Sequence, residues 1–135
     1  MYLNLLNDEQ KKCFLDYAYQ LANADGHYSE IEQEMMLAYC EEMHISFADR
    51  VEDHDVATLV ETLKRICTEQ EKKIILFEAL GLALVDNKYN EEENKMISYM
   101  QHEFGLNDDF VEICKVYVEE YIQLQSKINE AVLAM

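Results

Sequence analysis

Four acidic residues stand out by type and spacing. Asp25 and Glu32 bracket the run Asp-Gly-His-Tyr-Ser-Glu-Ile-Glu, and Asp86 and Glu93 bracket Asp-Asn-Lys-Tyr-Asn-Glu-Glu-Glu. Brought together, such carboxylates make a hard-oxygen site suited to a divalent cation, calcium or magnesium, better than to zinc. The spacing is not that of an EF-hand loop, because no Asp-x-Asp-x-Asp-Gly run occurs. The glutamates have a second use. Glu32 follows Ser29 by three and Glu93 follows Asn90 by three, the arrangement of a capping box in which the acid accepts from the cap's own N–H. Glu30 and Glu91 then fall in a first helical turn, where negative charge is favoured by about 0.3–1 kcal/mol. Capping leaves Asp25 and Asp86 unexplained. Placed in the last turn of a helix, they oppose the dipole and need either a hydrogen bond across the turn or a cation.

Other chemistry is thinly represented. Asp49, Glu52, Asp53, His54 and Asp55 form a second acidic stretch, which reads better as a solvated connection than as a cation site. His27, His44, His54 and His102 show no His-x-x-x-His pair, and neither Gly-x-Ser-x-Gly nor a glycine-rich phosphate loop is present. Cys13, Cys40, Cys67 and Cys114 stand far apart and read as small buried hydrophobes of a reducing, cytoplasmic protein.

The elements that must position the four acids are helices. Apolar residues recur at steps of three and four nearly throughout, and alternation with period two is nowhere sustained. With no proline and three glycines, boundaries come from caps. Asn7 opens a helix to about Asn23, with Phe14, Leu15, Ala18, Leu21 and Ala22 inward. Ser29 opens a second to about Met43. The polar segment from His44 to Asp55 connects onward, with a short helical turn from Ser46. A third helix carries Val56, Leu59, Val60, Leu63 and Ile66, and Thr68 with Glu71 starts a fourth. Asn90 starts a fifth, ending near Gly105, and Asn107 caps a sixth through Phe110, Tyr117, Tyr121, Leu124 and Ile128. At about 25 residues the sixth measures roughly 38 Å, against a radius of gyration of about 14 Å for a compact domain of this size. Its end therefore protrudes or pairs with another chain, making a homodimer through the C-terminal helix one expectation.

A 61-residue offset aligns residues 9–45 with 70–106, without a gap and with 12 identities. Lys11, Leu15, Ala18, Leu21, Asp25, Tyr28 and Glu32 fall on Lys72, Leu76, Ala79, Leu82, Asp86, Tyr89 and Glu93. Such a repeat implies two helical hairpins with the same turn, related by an approximate two-fold axis. The third helix then links them and the sixth covers them. The expected fold is a single all-α domain, 1–135, a compact bundle of about six helices. The twice-occurring pattern Ala/Val-Asp-Gly/Asn, then five intervening residues, then Glu, in an acidic helical chain, resembles the tellurite-resistance TerB-like family over about residues 9–104. The second copy departs from the pattern in having Asn87 where glycine is usual. The resemblance implies a stress-response setting, and its link to metal binding favours a cation at Asp25, Glu32, Asp86 and Glu93.

Charge limits the partners. The chain carries 28 Asp and Glu against 11 Lys and Arg, a net −17, which repels nucleic-acid phosphates and anionic membrane surfaces. No apolar run reaches the roughly 18–20 residues of a membrane span, and the N-terminus lacks the pattern of a secretory signal. A cation or a protein partner, above all a basic one, fits this surface. Three readings follow: a non-enzymatic module binding a cation or a protein, an acidic mimic of nucleic acid, or a metal-dependent enzyme, which would need a cleft holding a perturbed carboxylate. Duplex DNA should show no mobility shift with this protein at physiological salt; micromolar, salt-sensitive binding would overturn the charge argument.

Overall fold

The computed structural model describes residues 1–51, 54–85 and 90–134. Six helices form it: α1 (Asp8–Ala22), α2 (Glu30–Met43), α3 (Val56–Ile66), α4 (Glu69–Leu84), α5 (Glu91–Phe104) and α6 (Asp108–Leu133). Short 3-10 turns lie at Leu3–Leu5 and Phe47–Asp49, and no strand occurs among the described residues. The all-helical expectation holds, and so do the caps. The side chains of Asn7, Ser29, Thr68, Asn90 and Asn107 each accept a backbone N–H of the helix they precede. Asp55 does the same for α3, and Ser46 for the turn at Phe47. Each such cap satisfies a donor that has no partner within the helix, worth about 1 kcal/mol.

Two helices are central. α1 buries positions all around its circumference, from Gln10 and Cys13 to Leu21 and Ala22, and α4 does so from Ile74 to Leu84. That pattern marks helices surrounded by others. α1 packs on α2, α3, α4 and α5, while α4 packs on α1, α5 and α6. The starts of α1 and α4 touch: Gln10 Nε2 donates to Glu71 Oε1 at 3.1 Å and to the Ile66 carbonyl at 3.0 Å. Gln10 and Glu71 are equivalent positions in the 61-residue offset, so their contact lies close to any axis relating the two hairpins.

Two expectations need correcting, and one segment without a reading finds its place. α1 ends at Ala22 with Asn23 as its C-cap, so Asp25 stands beyond the helix rather than in its last turn, and the dipole argument against it lapses. α6 packs chiefly along α4 rather than over both hairpins. It buries Val111, Cys114 and Val118, whereas Tyr117, Tyr121, Leu124 and Ile128 are exposed. The N-terminal segment, unassigned by periodicity, is anchored: Leu3 is buried and its N–H donates to Glu42 at 2.7 Å.

The connection from His44 to Asp55 is better tied down than an acidic loop needs to be. Arg50 lies over the rings of Tyr19 and Phe47, 4.7 and 4.5 Å from their centres. Its Nε meets the buried Asp16 carboxylate at 3.4 Å. Asp49 and Asp55 serve as caps, accepting from Ser46 and Thr58; Glu52 and Asp53 lie outside the described residues. All four cysteines are buried free thiols, and burial pushes Cys67 up to about 12, leaving it un-ionised and inert.

Burial also raises the Asp16 carboxyl, against the opposing pull of Gln20 and Arg50. A folded-state pKa above the unfolded value of about 3.9 favours the protonated acid. That stabilisation is complete below the unfolded pKa and is lost as pH rises through the folded one. The melting temperature of Asp16→Asn relative to wild type should therefore shift in the variant's favour between pH 4 and pH 7; a difference that does not move with pH contradicts the assignment.

Candidate functional site

The α1–α2 turn is built residue by residue. The Ala24 N–H donates to Leu21, and the Gly26 N–H donates to Asn23 at 2.9 Å. Gly26 sits at φ +77°, a left-handed conformation that glycine adopts at little cost. Asp25 then folds back on its own backbone, with Oδ1 accepting from the His27 N–H at 2.9 Å. This local bond is a common use of Asp in turns. Tyr28 packs its ring edgewise on Tyr19, the centres 5.7 Å apart, and so returns onto the hairpin.

Both capping boxes form. Ser29 N–H donates to Glu32 Oε1 at 2.9 Å, and Glu32 N–H returns the bond to Ser29 Oγ at 3.1 Å. At α5 the Glu93 N–H donates to Asn90 Oδ1 at 2.8 Å, and the Asn90 N–H donates to Glu93 Oε1 at 3.4 Å. The two glutamates are nearly inaccessible, each 3% exposed. Their carboxylates are therefore structural members of the bundle as well as candidate ligands.

The two turns differ at the cap. Asn90 takes the place of Ser29, and its amide offers two donors where a hydroxyl offers one. One N–H of Nδ2 goes to Glu93 Oε1 at 2.7 Å, and the other crosses to Asp25 Oδ2 at 3.0 Å. A single amide nitrogen thus ties the second hairpin to the first. The Asp25 and Glu93 oxygens can be no farther apart than these two bonds laid end to end. Of the four predicted residues, Asp25 and Glu93 are drawn together, while Glu32 holds its own cap. Asp86 lies outside the described residues, with Asn87 and Tyr89. Among the described residues, no three His, Cys, Asp or Glu side chains form a group able to hold a metal ion.

The bridging role of Asn90 is what the residue pattern did not reveal, although the signal was present. Where the repeat exchanges Ser for Asn, the cap function is kept and the side-chain donors rise from one to two, so a second acceptor is called for. Asn90→Ser keeps a capping oxygen and loses the bridge; Asn90→Ala loses both and should cost about 1 kcal/mol. A urea-melt double-mutant cycle between Asp25→Ala and Asn90→Ser should return a coupling of about 0.5 kcal/mol. Strict additivity would show that the two hairpins are not joined at this point.

No family model matches the sequence, and no curated protein does. Among solved structures, the chain is similar to a tellurite resistance protein from Nostoc punctiforme PCC 73102, known from its crystal structure. The two share 18% sequence identity and superpose with a TM-score of 0.65, over 96% of this chain and 84% of that one. The described bundle of helices therefore has the fold of a tellurite resistance protein, which supports the TerB-like resemblance read from the repeated acidic pattern.

Proposed function

We propose that this protein is a non-enzymatic, TerB-like module of a cytoplasmic stress response, binding a divalent cation, a protein partner or both through its acidic turns. The observation that carries the reading is the Asn90 amide, placed between Asp25 and Glu93 so that acids of both hairpins face one point. The ligand set is carboxylate oxygen, the chemistry of calcium or magnesium. In the cation-free protein the amide N–H groups supply the positive partial charge between the carboxylates; a bound cation takes over that part. Asp25, Glu32, Asp86 and Glu93 are the proposed protein ligands. Since the described residues alone form no metal cluster, such a site depends on Asp86, with backbone carbonyls and water completing it. The similar structure's tellurite resistance supports the stress-response setting.

The partner half of the reading rests on charge. Glu91 and Glu92 stand open to solvent at the start of α5, with Lys95 alongside, and Glu30 opens α2 likewise. A net charge of −17 steers basic surfaces towards such acids. No helix among the described residues is long and apolar enough to cross a membrane.

A cation that binds only the folded state adds RT ln(1 + [L]/Kd), about 2.7 kcal/mol at a hundredfold excess over Kd. Millimolar calcium at constant ionic strength should accordingly raise the melting temperature by several degrees, and Asp25→Asn with Asp86→Asn should abolish the response. If neither calcium nor magnesium moves the melting curve beyond matched sodium, the cation site is wrong and partner binding remains.

A further inference from the structure

We propose that two copies of this chain pair through α6 as an antiparallel, two-fold symmetric coiled coil, each free helix end lying along the body of the other copy.

The argument begins with two stripes on one helix. Val111, Cys114 and Val118, continued by the half-buried Ile122, face the chain's own core. Beside them runs a second apolar series at steps of four and three: Phe110, Cys114, Tyr117, Tyr121, Leu124, Ile128 and Ala131. A heptad sustained over three repeats is the seam of a coiled coil. Phe110 and Cys114 are still held against the body; from Tyr117 onward the series lies open among the described residues. Tyr117 is 55% exposed, Tyr121 47%, Leu124 56% and Ile128 52%. Beyond Ile122 every described residue of α6 is exposed, so the last three turns leave the bundle. Where α6 still touches the body, the seam borders a mostly apolar groove of about 560 Å³, whose walls include Tyr2 and Leu5 of the N-terminal segment, Phe77 of α4, and Tyr117.

Direction and register follow from what is left unpaired. Antiparallel pairing about a point between Ile122 and Gln123 sets Tyr121 against the second copy's Leu124, and Tyr117 against its Ile128. It also places Glu120 beside the second copy's Lys127, on the flank of the seam and twice by symmetry. Lys127 is the one basic residue after Lys115, and neither it nor Glu120 forms an ion pair among the described residues. A parallel pair in register instead puts Glu120 near Gln125 and Lys127 near Val132. It also sets both acidic bodies at the same end, where their charges repel. The antiparallel pair separates the bodies and brings each exposed end, Leu124 to Leu133, alongside the other copy's groove. One arrangement thus covers the seam, adjoins the groove and matches the charges.

Sedimentation equilibrium on the full chain tests this. Wild type should be a dimer, and Leu124→Glu with Ile128→Glu, both beyond the core, should give a monomer with an unchanged circular dichroism spectrum and melting curve. Glu120→Lys and Lys127→Glu should each weaken the dimer about tenfold, and the double exchange should restore it to within about twofold. A wild type that stays monomeric to about 100 µM overturns the proposal. So does a dimer indifferent to the Leu124 and Ile128 changes, and a dimer whose charge exchanges fail to compensate contradicts the antiparallel register.

Discussion

Each helix of this bundle starts with backbone N–H groups that have no partner within the helix, and the starts of α1, α2 and α5 are partly buried. Side chains have to supply the missing acceptors. Four of the six helices, α1, α2, α4 and α5, do so with a full capping box. The requirement governs the placement of polar residues well beyond the caps. It buries Glu32 and Glu93, it seats Gln10 where its amide also reaches Glu71, and it leaves the Asn90 amide free to reach Asp25. Two of the polar contacts joining the hairpins, Gln10 to Glu71 and Asn90 to Asp25, are thus made by cap side chains, beside the packing of α1 on α4 and α5 and the Tyr17 and Tyr39 hydroxyl bonds to the carbonyls of Met96 and Glu78.

That origin complicates the functional reading of the acids in a definite way. A carboxylate that holds a cap is rigid and correctly aimed, which suits a ligand, but its lone pairs are partly spent. Glu93 Oε1 already accepts from both nitrogens of Asn90. A cation would therefore compete with the amide for the same oxygens, and its affinity would reflect the difference between the two interactions. Asp25 is the more available, since its bonds to His27 and Asn90 lie at the surface. Surface bonds to a carboxylate exchange readily with water and ions.

Most of the fold was legible from the residues because two independent signals agreed, helical period and cap chemistry. Asn7, Ser29, Thr68, Asn90 and Asn107 each opened a helix where the pattern placed one. What was not legible depended chiefly on tertiary contact. Asp25 looked misplaced against a helix dipole even though the pattern ends that helix near Asn23; the residue lies past the C-cap and accepts the His27 N–H of its own turn. Arg50, in a stretch that reads as an acidic connection, is an anchor only because the fold brings Tyr19, Phe47 and Asp16 around it. The stripe of α6 from Tyr117 to Ile128 reads as core because periodicity reports that a face is apolar, and is silent about whose core it joins. Of the candidate site, the acids and their caps were visible; the amide joining them was not.

The free end of α6 has a consequence for the energetics of the chain. Isolated helices shorter than about 12–15 residues are marginal in water, since each must bear the cost of nucleation with little packing in return. The segment after Ile122 continues an anchored helix, so nucleation is already met, yet it gains nothing from burial. In a lone chain its amides should open locally at a small fraction of the global unfolding free energy and exchange with solvent early, while those of α1 and α4 open only with the whole domain. The same segment would be the first offered to a protease. Whatever covers it acts as a fastener for the least stable turn of the protein, so the lifetime of the intact chain becomes a function of its concentration and company.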